Sequence, residues 1–247
     1  MSAAAREQGL LVLQHAGCEP PGVYEDEMRE RAIPFTRVLL PDTDARELPD
    51  WSGFAGIVAM GGAMGAGDES EHPWLVPEKQ LIGEAVRANR PYWGVCLGAQ
   101  LLAASLGATV RRGPRPELGV MPVTLTAEAA CDPVFAAAPD TFATLQWHGE
   151  TYELPDGAVR LARSDAYEQQ AFTFGRAYAL QFHLEVDSRL AQEWMEIPEY
   201  VEELEQLSGP GAPAAMLAQV RAEEARSAPL ARQLFGRWLE RVVGLPA

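Results

Sequence analysis

The stretch from Arg90 to Gly107, R-P-Y-W-G-V-C-L-G-A-Q-L-L-A-A-S-L-G, constrains the fold more than any other part of the chain. Pro91 to Val95 is an apolar run of buried-strand length, and Leu97 to Leu106 carries apolar residues at helical spacing. Gly107 stands where a helix commonly ends. Between strand and helix lies Gly94-Val95-Cys96-Leu97-Gly98, the pattern of a nucleophile elbow with cysteine at its apex. A strand turning at once into a helix crowds the backbone, so glycines on either side of the apex are what such a turn requires. The turn also sets the thiol at a helix N-terminus, where the macrodipole favours the thiolate. Taken alone, the five residues also suit a buried structural cysteine.

At 247 residues and 47% hydrophobic content, the chain has the size and apolar fraction of one α/β domain with a sizeable core, expected to span 1–247. Twenty basic residues stand against 35 acidic ones, a formal charge of −15. Nucleic acid and anionic membranes both call for a basic footprint, so neither is expected as a partner. Cys18, Cys96 and Cys131 make no disulfide framework, and none lies in a C-x-x-C pair that would suggest zinc or redox chemistry. The N-terminal apolar run Leu10–Leu13 is too short for a secretion signal, and no run nears the roughly 18 apolar residues of a membrane span. A reducing cytoplasm is the expected compartment, and it suits a free thiol.

In chain order, strands are expected at Gly9–Leu13, Phe35–Leu40 and Gly56–Met60, with a helix at Tyr24–Ala32. Strand, helix and strand in so short a span imply a parallel sheet covered by helices. The third strand runs into Gly61-Gly62-Ala63-Met64-Gly65-Ala66-Gly67, a loop able to turn backbone N–H groups toward an anion. No Gly-Lys-Ser/Thr follows, so it is no Walker loop, and a plain flexible turn remains the other reading. A helix over Trp74–Ala88 leads to the elbow. Gly113 to Gly119 reads as a proline- and glycine-broken loop before a strand at Val120–Leu125, and Arg112 to Gly119 either contributes to substrate choice or is a solvated connection. A strand near Phe142–Gln146 precedes the loop Trp147-His148-Gly149-Glu150, whose histidine reads as structural. Strands at Ala158–Arg163, Gln170–Phe174 and Ala177–Phe182 form a small antiparallel section. From Ser188 onward the pattern is helical, broken by a loop at Ser208–Pro213.

A thiol nucleophile needs a base, and the base needs an orienting partner. His183 ends an apolar strand, where α/β sheets place their active residues, and Glu185 follows two positions on. In an extended segment such positions share a face about 7 Å apart, within reach of an imidazole–carboxylate pair. His15, after the first strand, reads more readily as an ordinary loop histidine than as a pocket-rim group, and Cys18 and Cys131 read as unreactive.

The glycine loop, the G-V-C-L-G-A-Q elbow and Q-F-H-L-E, in that order, resemble the class I glutamine amidotransferases over residues 9–240, and W-H-G-E resembles their substrate-side loop. The likeness is to stand-alone members similar to the amidotransferase domain of GMP synthase. It implies a flavodoxin-like α/β fold with a mostly parallel central sheet flanked by helices. It implies Cys96 as nucleophile on the glutamine side-chain amide, His183 as its base and later as acid to the leaving ammonia, and Glu185 as orienter. The backbone N–H groups of Gly62 and Leu97 would hold the oxyanion, and Gln100, Gly149 and Glu150 would bind substrate. No cofactor and no metal is implied. The family's usual Gly-Gly-Pro is Gly61-Gly62-Ala63 here, and Leu184 replaces the usual proline between histidine and glutamate.

Three functions compete: release of ammonia from glutamine for a separate synthetase or ligase partner; hydrolysis of γ-glutamyl peptides or amines by the same groups; and a non-catalytic binding module on the same fold. No phosphate loop followed by a helix occurs in the chain, so ammonia is expected to go to another protein or simply to be released.

Overall fold

The computed structural model describes residues 9–43 and 48–245. Its frame is a nine-stranded sheet in the order β2-β1-β3-β4-β9-β8-β7-β5-β6. Strands β1 (Leu10–Gln14), β2 (Phe35–Leu39), β3 (Gly56–Ala59), β4 (Tyr92–Val95) and β9 (Ala177–Leu180) run parallel. Strands β5 (Val110–Leu125), β6 (Thr141–Tyr152), β7 (Val159–Arg163) and β8 (Ala171–Phe174) continue the sheet antiparallel. Each expected strand is present, but the antiparallel section is nearly as wide as the parallel one.

Apolar side chains alternate between two layers, which is why the parallel strands read as unbroken hydrophobic runs. Leu10, Val12, Val58, Trp93, Val95 and Tyr178 pack on one face with Phe235 and Trp238. Leu11, Leu13, Ile57, Ala59, Tyr92 and Ala179 pack on the other with Leu81, Ile82, Leu101 and Leu102. The first face is covered by α1 (Val23–Glu30) and the long α6 (Ala212–Arg237), and the second by α2 (Leu75–Arg87) and α3 (Leu97–Ser105). A third cluster joins Leu145 of β6 to α4 (Ser188–Trp194), α5 (Pro198–Ser208) and α6 through Leu190, Trp194, Leu204 and Met216. The break at Ser208–Pro213 separates α5 from α6 as expected, with Gly209 and Gly211 at positive φ. Among the described residues no helix is long and apolar enough to cross a membrane.

Two expected loops are strand instead. Gly113–Gly119 lies inside β5, whose pairing with β6 is irregular between Arg112 and Glu117. Pro114 and Pro116 fall in that irregularity, where a missing N–H costs no ladder bond. Trp147 to Glu150 continues β6, because His148 and Trp147 pair with Glu117 and Leu118 and Glu150 pairs with Arg112. Only the partner strand across the bulge makes this pairing possible.

Candidate active site

Cys96 sits between β4 and α3 with φ 49° and ψ −106°. A non-glycine residue in this region is strained, and such strain persists only where the surroundings hold it. Here the Cys96 N–H donates to Leu180 O at 2.7 Å, and the Gly98 N–H donates to Met60 O at 3.1 Å. A side chain on Gly94 would lie 2.7 Å from the Gly98 carbonyl carbon, and one on Gly98 would lie 2.8 Å from that of Ala59. The elbow glycines are therefore required by backbone approach. The Leu97 and Gly62 N–H groups have no backbone acceptor among the described residues.

Parallel pairing of β4 with β9 matches Val95 to Leu180, so the chain leaving β9 must pass beside Cys96. Regular strand ends at Leu180, two residues short of the expected end. Beyond it His183 is pinned to β6: its N–H donates to Leu145 O at 2.9 Å, and Thr144 Oγ1 donates to its carbonyl at 2.8 Å. The ring donates from Nδ1 to Glu185 Oε1 at 2.6 Å, with the side chains 3% and 2% exposed. Burial alone would push the His183 pKa down. The Glu185 carboxylate, and beyond it the nearby Cys96, outweigh burial and hold the imidazole well above its ordinary value.

Gln181, one position after β9, donates from Nε2 toward Cys96 Sγ at 3.7 Å and accepts from Gln100 Nε2 at 3.4 Å. Its role beside the sulfur is missing from the sequence reading, although the alternation Gln181, His183, Glu185 signals a shared face. Gln100 reaches the site partly through this amide.

The thiol opens into a cavity of about 690 Å³ whose lining includes Gly62, Gln100, Gly149, Glu150 and His183. Nothing lies within 4 Å of where a Gly149 side chain would stand, which leaves that backbone open to a ligand. Burial and the nearby Asp68 raise the Glu150 pKa, against the opposing pull of Arg112. Arg112 to Pro116 also line the cavity, so the irregular part of β5 forms a wall of it.

A further acid, Glu19, went unread. It is buried at the cavity and accepts from Tyr200 Oη at 2.6 Å. Burial pushes its carboxyl up, against the pull of His183 and Tyr200. Nothing local in the loop after β1 signals this, since Tyr200 is 181 residues away.

Two other histidines differ from expectation or refine it. His148 also has a carboxylate two residues on, Glu150, but its Nδ1 contacts the Glu150 backbone carbonyl at 3.0 Å. Its Nε2 lies 3.3 Å from Glu117, whose carboxylate also accepts from Ser164 and Gln170. His15 is not at the pocket rim. It is fully buried, with Nδ1 3.0 Å from Gly61 O and Nε2 2.8 Å from Glu78 Oε1. The cause is the register of β1 with β3, which sets the loop after each side by side. Cys18 is half-buried against Tyr200 Oη, and burial pushes its thiol up, away from reactivity.

Residues 25–197 match the family model described as glutamine amidotransferase class-I. The glutamine amidotransferase-like protein YfeJ of Salmonella typhimurium is 37% identical over 109 residues, 44% of this chain and 46% of that protein. The matched stretch thus spans under half of YfeJ's length. The glutamine-hydrolysing GMP synthase subunit of Thermoplasma volcanium is 31% identical over 156 residues, covering 62% of this chain and 71% of that one. The crystal structure of a glutamine amidotransferase from Thermotoga maritima superposes with a TM-score of 0.84 at 36% identity, covering 95% of this chain and 97% of that one. With the elbow, the fold and the family match in agreement, the chain belongs to the class I glutamine amidotransferases, a glutamine-hydrolysing family.

Proposed function

We propose that the protein hydrolyses the side-chain amide of glutamine through a γ-glutamyl thioester on Cys96. His183 takes the thiol proton as sulfur attacks the amide carbon. The oxyanion that forms sits between the N–H groups of Leu97 and Gly62, and one such donor typically contributes about 10²–10³ in rate. Collapse breaks the C–N bond, and His183 passes its proton to the departing nitrogen, which leaves as ammonia. Water then attacks the thioester with His183 as base, the C–S bond breaks, and glutamate leaves as the thiol is restored. Glu185 holds the ring and stabilises the imidazolium. Gln100, Gly149 and Glu150 take the amino-acid end of the substrate.

The observation that carries this reading is the His183 ring, bonded to Glu185 at 2.6 Å on Nδ1 and lining the same cavity as Cys96. We take 1–247 to work as one catalytic domain, in a reducing cytoplasm that keeps Cys96 a free thiol. The similarity to the glutamine-hydrolysing GMP synthase subunit supports a separate synthetase as the acceptor of ammonia. Glutamate release from glutamine by wild-type protein and by Cys96→Ala tests the reading. Equal rates would overturn it.

A second reading has its own support. A cavity of about 690 Å³ exceeds what glutamine fills and falls in the range of drug-sized ligands, roughly 300–1,000 Å³. Tyr200, Trp194 and Trp147 form an aromatic wall in it. A larger leaving amine, from a γ-glutamyl amide or peptide, would use that space with the same chemistry. Release rates from glutamine and from γ-glutamyl amines, compared on one preparation, separate the two.

A further inference from the structure

We propose that His15 is a positioning residue that sets the oxyanion site by holding the Gly61–Gly62 peptide in one orientation. This rests on the reading of Gly62 as an oxyanion donor. That peptide is flanked by two glycines, so no Cβ on either side resists its rotation. Something outside it must fix which way it faces. The peptide is trans, so the Gly61 carbonyl and the Gly62 N–H point in opposite directions. His15 Nδ1 holds the Gly61 carbonyl at 3.0 Å from a side that is fully buried. Gly62 itself lines the cavity with Cys96, whereas His15 does not. Fixing the carbonyl inward therefore turns the N–H outward, toward the thiol. One residue earlier, the Met60 carbonyl is held by the Gly98 N–H of the elbow helix. The two successive carbonyls are thus tied to two different parts of the fold.

The ring's own partners say why it can act as a rigid donor. A carbonyl oxygen and a carboxylate both only accept, so the imidazole between Gly61 O and Glu78 Oε1 uses a proton on each nitrogen. Glu78 lies in the first turn of α2, where the helix dipole favours its negative charge. Trp74 stacks on the ring with centroids 5.7 Å apart and planes 18° apart, which removes its remaining freedom.

The two nitrogens can be tested separately. In His15→Asn the side-chain amide falls where Nδ1 was and keeps the Gly61 bond while losing Glu78. In His15→Gln the amide reaches the Nε2 position and keeps Glu78 while losing Gly61. Full-length protein carrying each change is assayed for glutamine and γ-glutamyl amide turnover, with Cys96 alkylation by iodoacetamide, followed at that peptide, as a reaction that forms no oxyanion. The expected result is a kcat loss of about 10²-fold in His15→Gln with KM within a few-fold and alkylation unchanged, and recovery of most of kcat in His15→Asn. Equal losses in both variants, or a larger loss in His15→Asn, would show that the ring acts only through packing and its ion pair, and would overturn the proposal. A wild-type protein that turns over no γ-glutamyl compound, or a Cys96→Ala variant as active as wild type, would instead remove the underlying functional reading and this inference with it.

Discussion

Two of the buried histidine–glutamate pairs, His183–Glu185 and His15–Glu78, are alike in nearly every local measure. Their N···O distances are 2.6 and 2.8 Å, and no side chain in either pair is more than 3% exposed. Each glutamate has one buried oxygen, Glu185 Oε2 or Glu78 Oε2, with no hydrogen-bond partner. In each, burial pulls the imidazole pKa down and the carboxylate outweighs it. What separates them is the second ring nitrogen. The second nitrogen of His15 is held by an amide carbonyl, which exchanges no proton, whereas His183 lines the cavity together with Cys96. In the proposed mechanism the first pair carries a proton, and in the proposal for the oxyanion loop the second is a fixed donor. An ion pair alone does not identify a catalytic base.

The largest expected effect that would sharpen this contrast is in His183→Ala, which should lose about 10⁴-fold or more in kcat/KM while staying folded. A loss no greater than that of His15→Gln would erase the distinction. The glycine between the pairs is next. A side chain on Gly62 would meet Met64 Sδ at 2.6 Å and His15 Cβ and Leu97 Cδ2 at 2.9 Å, so Gly62→Ala should shift the loop and cost about 10²-fold in kcat. Retained turnover would detach the loop from the chemistry.

The two carboxylates should then divide rate from stability. Glu185→Gln is expected to lower kcat roughly 10²-fold, within the usual range for acid–base catalysis. Glu78→Leu leaves a buried imidazole without its counter-charge and should cost about 3–5 kcal/mol in denaturant unfolding. If Glu78→Leu unfolds at the wild-type midpoint, the second pair is not the structural element it is taken to be.

The smallest effect is in the pH dependence of stability. Both imidazoles bind their proton more tightly in the folded than in the unfolded state, whose pKa is about 6.5. Their contribution is complete below that value and is lost as pH rises through the folded pKa values. The melting temperature of wild type relative to His15→Asn should therefore fall as pH rises above about 6.5, by a few degrees. A difference constant from pH 5 to about 9 would mean that the His15 proton is not linked to folding.

The parallel half of the sheet was legible because buried strands and amphipathic helices have different periods, and residues such as Leu10–Leu13 and Leu97–Leu106 carry them plainly. The β5–β6 ribbon was not. Prolines and glycines at 113–119 read as a loop, and only pairing across the bulge with β6 makes that segment strand. The site shows the same division. Spacing pointed to His183-Leu184-Glu185, yet His148-Gly149-Glu150 has the same spacing and forms no ring–carboxylate contact, its Nδ1 meeting the Glu150 carbonyl instead. The difference lies in backbone path: His148 to Glu150 stay within β6, whereas the chain after Leu180 touches the sheet only through the single His183–Leu145 bridge.

What the sequence determined by itself was everything carried by neighbours in the chain: the elbow with its two glycines, the helix behind the thiol, and the candidate pair at 183 and 185. These follow from side-chain period and from the room a tight turn leaves, which local residues set. Tertiary structure alone decided which distant groups meet, because strand order and register bring His15 to Gly61 and Glu78, Glu19 to Tyr200, and His183 to Cys96. Such contacts depend on how elements pair across the sheet, and no short stretch of sequence contains that pairing.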